Sequence, residues 1–149
     1  MLDRIKKDNK GFTIIEVLIV LAIAGLIMII VFLAVPALQR NQRNQSYRTE
    51  ANNIISAYQE LSANQNGNAL PDATDASNVE AAANTKNYTT IIIEGEAGTS
   101  APSLTQAVIR KAAKCNASFN ETDAGVARQI VVLFQVESTS GAVTQCVNS

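Results

Sequence analysis

Residues 6–40 read KKDNKGFTIIEVLIVLAIAGLIMIIVFLAVPALQR. Within them, residues 17–38 run for 22 positions without a charged or polar side chain. An α-helix rises about 1.5 Å per residue, so about 20 apolar residues cross the hydrocarbon core of a bilayer. A single carboxylate, Glu16, stands at the head of this run, with a basic stub before it. A charge held in hydrocarbon costs about 2.5–3.5 kcal/mol on insertion scales, and so asks for a partner.

The stub carries Arg4, Lys6, Lys7 and Lys10 against Asp3 and Asp8. That bias keeps the N-terminus in the cytoplasm and sends the rest outward, although Arg40, Arg43 and Arg48 beyond the run weaken it. Three readings compete. A secretory signal peptide has a basic start and small residues for cleavage at Val35-Pro36-Ala37, but its apolar region is shorter than this one and lacks an acid. A plain anchor places Glu16 at the interface, where a carboxylate costs little.

The third reading accounts for more of the residues. Gly11-Phe12-Thr13-Ile14-Ile15-Glu16, directly before the apolar run, resembles the signature of type IV pilins. The resemblance covers roughly residues 1–40, and its elements must occur at fixed spacing. It implies that a prepilin peptidase cuts after Gly11 and that the same enzyme N-methylates the new N-terminus, Phe12. It further implies that Glu16 of an incoming subunit pairs with the Phe12 amine of a neighbour already in a fibre. The membrane penalty then becomes attraction and register in the polymer, because a subunit one step out leaves a buried charge unpaired. Pro36 removes a helix hydrogen bond and is expected to kink or loosen the helix near residues 32–36. Pilins often carry such a proline, and this one falls slightly later than is usual.

Beyond the run, residues 39–46 (QRNQRNQS) are wholly polar. Tyr47, Ala51, Ile54, Ile55, Tyr58 and Leu61 then recur at helical steps, with Glu50 and Glu60 placed largely on the other face. One helix from Phe12 to about Ala63 would be about 78 Å long, too long for a small domain to cover. Half of it must be buried by lipid or by other subunits. Ala22, Ala24, Gly25 and Ala34 are small positions suited to close helix approach. Tyr47, Tyr58, Phe12 and Phe32 read as packing residues in preference to an aromatic path.

Residues 64–87 carry loop chemistry, punctuated by Asn66-Gly67 and Pro71-Asp72. Asp72, Asp75 and Glu80 match no calcium-loop spacing and read as a solvated surface. Residues 88–94 (YTTIIIE) are expected to form a strand. Residues 103–114 (SLTQAVIRKAAK) suggest a short helix with Ser103 as N-cap and a stripe of Leu104, Ala107, Val108 and Ala112. Residues 127–137 make the strongest strand, and Ser140-Gly141 turns into a last one at 142–147. About three antiparallel strands packed on the long helix give an α+β fold. The expected organisation is a leader at 1–11, a membrane or fibre-core helix half at 12–38, an amphipathic half at 39–63 and a globular head at 64–149.

Cys115 and Cys146 are the only cysteines of the 149 residues, and there is no histidine. A zinc site from two thiols has no recognisable spacing. A disulfide in an oxidising compartment is the simpler reading, with two free thiols in a reducing one as the alternative. The family resemblance implies the former, a C-terminal disulfide loop tying the last strand to the expected short helix. Closing a loop of 31 positions stabilises a fold by roughly 3–4 kcal/mol. The Asn-x-Ser/Thr tripeptides at Asn44, Asn87, Asn116 and Asn120 are expected by chance in an Asn-rich chain.

Without histidine the commonest general base and metal ligand is missing. No nucleophile–base pair, phosphate-binding loop or metal spacing is seen, so no enzyme and no cofactor is expected. Residues 39–149 hold eight Lys/Arg against ten Asp/Glu, which gives no ground for phosphate-directed nucleic-acid binding. What the resemblance implies is a structural subunit. It is held in the cytoplasmic (inner) membrane by its helix, handled by the pilus assembly platform and its extension and retraction ATPases, and polymerised with itself into an extracellular fibre for motility, adhesion or DNA uptake. The rivals are a type II secretion pseudopilin, forming a short periplasmic piston, and a membrane-anchored or secreted small binding domain.

Overall fold

The computed structural model describes residues 11–64, 70–95 and 97–149. The expected leader, apart from Gly11, and the Asn66-Gly67 turn lie outside the described residues. The chain divides into two compact units, Met1–Gln39 and Arg40–Ser149.

The first unit holds the start of α1 (Ile14–Asn64), which is helical throughout, Pro36 included. Every residue from 11 to 39 is exposed. Leu33 is 77% exposed and Val35, the least exposed of the large apolar residues here, is still 40% exposed. This stretch is apolar on all sides, so a stripe facing a core does not exist. A helix of that kind belongs in lipid or among other helices.

The second unit is α+β. The α1 residues Tyr47, Ala51, Ile54, Ile55 and Tyr58 are buried, as the helical spacing predicts, with Ala57 buried as well and Leu61 half-buried. After α1 come a short 3-10 turn (Ala73–Asp75), α2 (Ala76–Ala83), and strands β1 (Thr90–Glu94), β2 (Gln106–Lys111), β3 (Ala113–Cys115), β4 (Thr122–Ala124), β5 (Ile130–Ser138) and β6 (Gly141–Asn148). The main sheet has the order β1-β2-β5-β6, and β3 pairs with β4 separately.

Successive residues along the strands face opposite sides of the pleated sheet, so each side gathers its own set of apolar residues. Ile91, Ile93, Ala107, Ile109, Ile130, Val132, Phe134 and Val136 join the buried α1 residues in one core. Val108, Val131, Leu133 and Cys146 face the opposite side, where Ala113 and Cys115 of β3 cover them. The disulfide therefore seals a second, smaller core on the sheet face away from the helix.

Three expectations are corrected. Residues 103–114 are not a helix: they form β2 and β3, with Ala112 in the left-handed region (φ 55°) between them. Val108 and Ile109 are β-branched, and β2 lies between β1 and β5 with Ala107, Val108 and Ile109 all fully buried. Packing on both faces overrode a local pattern that also fits a helix. The main sheet has four strands, not three, and is not purely antiparallel. β1 and β2 run parallel, pairing Thr90 with Gln106 through Glu94 with Arg110, and the crossover between them is residues 95–105. Finally, residues 64–87 are not all loop. Asp72 and Asp75 form a capping box, Asp72 accepting from Thr74 N–H at 2.9 Å and Asp75 from Asp72 N–H at 3.2 Å, and the Ala-rich α2 follows.

The expected hairpin closes the sheet. Thr139 and Ser140 connect β5 and β6, and Gly141 takes φ +124°, a conformation that favours glycine.

Candidate functional site

Of the residues singled out by sequence, Gly11, Phe12 and Glu16 lie at the head of α1, while Pro36, Cys115 and Cys146 lie elsewhere. Gly11, Phe12 and Thr13 precede the helix, and Phe12 is 89% exposed. The first N–H groups of any helix lack intrahelical partners, and here the sequence supplies them. Thr13 N–H and Thr13 Oγ1 both donate to Glu16 Oε2 at 2.8 Å, and Glu16 N–H donates back to Thr13 Oγ1 at 3.3 Å. This is a reciprocal capping box. A carboxylate in the first turn also answers the positive end of the helix dipole. Glu16 thus serves its own helix before it meets any other molecule.

Phe12, Glu16, Val17, Val20 and Leu21 line one shallow, almost wholly apolar groove. Phe12 and Glu16 are four positions apart and share that groove, so the Phe12 main chain and the Glu16 carboxylate belong to one surface. The chemistry present there is one carboxylate in an apolar setting. Thr13 was missed by sequence reasoning, although Thr-x-x-Glu ahead of an apolar run is the legible sign of a capping box.

Cys115 and Cys146 form the disulfide, with Cα atoms 5.7 Å apart. It ties β6 to β3, where a short helix was expected. Cys146 N–H donates to Phe119 O at 2.7 Å and Cys115 N–H to Asn148 Oδ1 at 2.7 Å, so the bridge sits in a hydrogen-bonded frame.

The second half of α1 holds the sheet through polar contacts as well. Arg43 makes a bidentate contact with Glu137, Nε to Oε1 at 2.7 Å and Nη2 to Oε2 at 2.6 Å. The Arg43 hydrogen bond holds the Glu137 carboxyl below the usual carboxylate range. Asn44 brackets the same residue, donating to Glu137 O and accepting from Glu137 N–H, each at 2.8 Å. Tyr47 and Tyr88 pack with ring centroids 5.8 Å apart. Tyr47 and Tyr58 are core residues, as the packing reading holds, whereas Phe12 and Phe32 are exposed.

Glu50 departs from expectation. It was placed on the outer face, yet it is 6% exposed. Asp72 and Asp75 are occupied in their capping box, and no cluster of three or more metal-ligating side chains occurs among the described residues.

Residues 6–32 match the family model for the prokaryotic N-terminal methylation motif, the class III signal of type IV pilins. The motif is that of a pilin- or pseudopilin-like subunit, and the apolar helix that follows fits membrane anchoring before assembly. No curated protein and no solved structure matches the chain.

Proposed function

We propose that the chain is a type IV pilin precursor, a structural subunit cut after Gly11, methylated at Phe12 and polymerised with itself into a surface fibre. The observation that carries this reading is continuity. The methylation motif at residues 6–32 overlaps a helix whose residues 14–39 are all exposed among the described residues.

Cleavage after Gly11 creates a positive amine on Phe12. In an apolar fibre core that amine needs an anion, and Glu16 is the only carboxylate between residues 9 and 49. An unpaired charge in such a core is strongly disfavoured, so the pair acts as a register check at each addition. The Thr13–Glu16 capping box keeps the carboxylate satisfied in the membrane-held monomer. On assembly the neighbour's amine takes a place on the same oxygens. Processing by prepilin peptidase and passage through the assembly platform and its ATPases follow from this reading.

Glu16→Leu tests it. The expected outcome is a stable membrane monomer with fibres reduced at least about ten-fold, since removing the carboxylate leaves the neighbour's amine buried without a partner, a cost of more than one decade in equilibrium constant. Normal fibre yield from Glu16→Leu overturns the pairing. Abundant long surface fibres distinguish a pilin from a pseudopilin.

A further inference from the structure

Among the described residues Glu50 is the one charged side chain that is buried. Its Oε2 accepts two consecutive main-chain N–H groups, from Lys86 at 3.2 Å and Asn87 at 2.9 Å. Its Oε1 accepts from Asn87 Nδ2 at 2.7 Å and Ser46 Oγ at 3.4 Å. No Lys or Arg among the described residues forms an ion pair with it; the pairs found are Arg43–Glu137 and Arg110–Glu94. A buried carboxylate is costly unless hydrogen-bonded, and most of these donors come from one short stretch, residues 86–87.

That stretch ends a segment that α1 grips at both ends. At its start, Tyr58 Oη donates to Pro71 O at 3.2 Å, with Pro71 fully buried. At its end, Tyr88 is 1% exposed and its hydroxyl donates to Tyr47 O at 3.4 Å, beside the Glu50 contacts. The gripping side chains Tyr47, Glu50 and Tyr58 share one helix stripe with Ile54, at steps of three and four. The middle of the segment is held far less firmly. Of α2 only Val79 and Ala83 are buried. Eight residues are too few for a helix to persist on its own.

The segment covers something. Among the described residues β1 is the outermost strand of the sheet, with β2 on one side and no strand on the other. The 3-10 turn and α2 pack against it. β1 contains Ile91-Ile92-Ile93, a run of the kind that templates pairing with other chains when its edge is bare.

We propose that residues 70–88 are a latched guard over the β1 edge, with Glu50 as the latch. The guard opens as one unit while the β5–β6 hairpin and the disulfide stay closed. Opening requires the carboxylate to give up its donors, and this sets the frequency at which the edge is bared. Glu50 is therefore a positioning residue for a sheet edge.

Hydrogen exchange of the full chain in detergent micelles, resolved by segment, tests this. In the wild type, amides of residues 79–88 are expected to exchange faster than those of residues 131–136. Glu50→Gln keeps one accepting oxygen but turns the other into an NH2 donor, which then faces a donor of the 86–87 stretch, and it removes the charge. It is expected to speed exchange at residues 79–88 by about ten-fold or more, the loss of a charge-assisted hydrogen bond, and to leave residues 131–136 unchanged. Asn87→Ala removes the side-chain donor but keeps both main-chain ones, and is expected to give a smaller rise in the same segment. Equal acceleration in both segments, or loss of protection throughout the domain, overturns the proposal. So does an unchanged rate at residues 79–88 in either variant.

Discussion

Leu33 and Ile54 stand on the same helix, yet Leu33 is 77% exposed and Ile54 is fully buried. Their neighbours explain the difference. Around Leu33 the helix is apolar on every side, so no single domain face can satisfy it. Around Ile54 the apolar residues keep to a stripe, and one apolar face of the sheet meets that stripe. One half of α1 completes its burial inside the chain, while the other stays exposed and fits a membrane. A hydrophobic pattern therefore states how much surface must be covered and also whether the chain itself supplies the cover.

The contrast breaks first at the disulfide, which lies wholly within residues 40–149. Replacing Cys115 and Cys146 by Ala should cost roughly 3–4 kcal/mol of that unit's stability, measured by denaturant unfolding of the full chain in detergent. Membrane insertion should be unaffected. A loss well below that range would mean that the small core under β3 holds without the bridge.

Paired truncations on the helix come next. Ile54→Ala should destabilise the same unfolding transition by about 2–5 kcal/mol, because a cavity opens between α1 and the sheet. Leu33→Ala should move it by no more than about 0.5 kcal/mol, since Leu33 is exposed among the described residues. Equal effects would erase the distinction between the two halves.

Titration sharpens the comparison within the second unit. Burial pushes the Tyr58 phenol up to about 12, and pushes Tyr88 up as well. Both folded-state values lie above the ordinary tyrosine value of about 10. Their contribution is complete below about pH 10 and is lost as pH rises through the raised values. Alkaline unfolding of the wild type should therefore steepen above pH 10, and Tyr58→Phe should flatten that slope. The smallest effect belongs to Glu137. Its carboxyl is held low by Arg43, so it adds stability above the ordinary carboxylate range of about 4.3 that fades as pH falls. Glu137→Gln should reduce acid sensitivity slightly, by the modest amount typical of an exposed pair.

How much of this was legible follows from how local each signal is. The long helix was readable because both of its patterns extend over many turns. The β5–β6 hairpin was readable from IVVLF and from Gly141. β2 was not, because a strand buried on both faces loses its alternation, and Leu104, Ala107, Val108 and Ala112 also fit a helix. The parallel β1–β2 pairing has no local signature at all. α2 was passed over although Asp72 and Asp75 announced a cap. At the candidate site, Gly11, Phe12 and Glu16 were readable as a fixed-spacing motif. Thr13 was equally visible and was overlooked. Glu50 could not have been placed, because acids are almost always outside and its partners lie 36 and 37 positions away.

The most direct test of the central claim is the intact mass and N-terminal residue of the protein sheared from cell surfaces. The account predicts fibres whose subunits begin at N-methylated Phe12 and lack two hydrogens at Cys115 and Cys146. A protein that begins at Met1 and is found only in membranes, or one that begins at Leu38 and is free in solution, would contradict it.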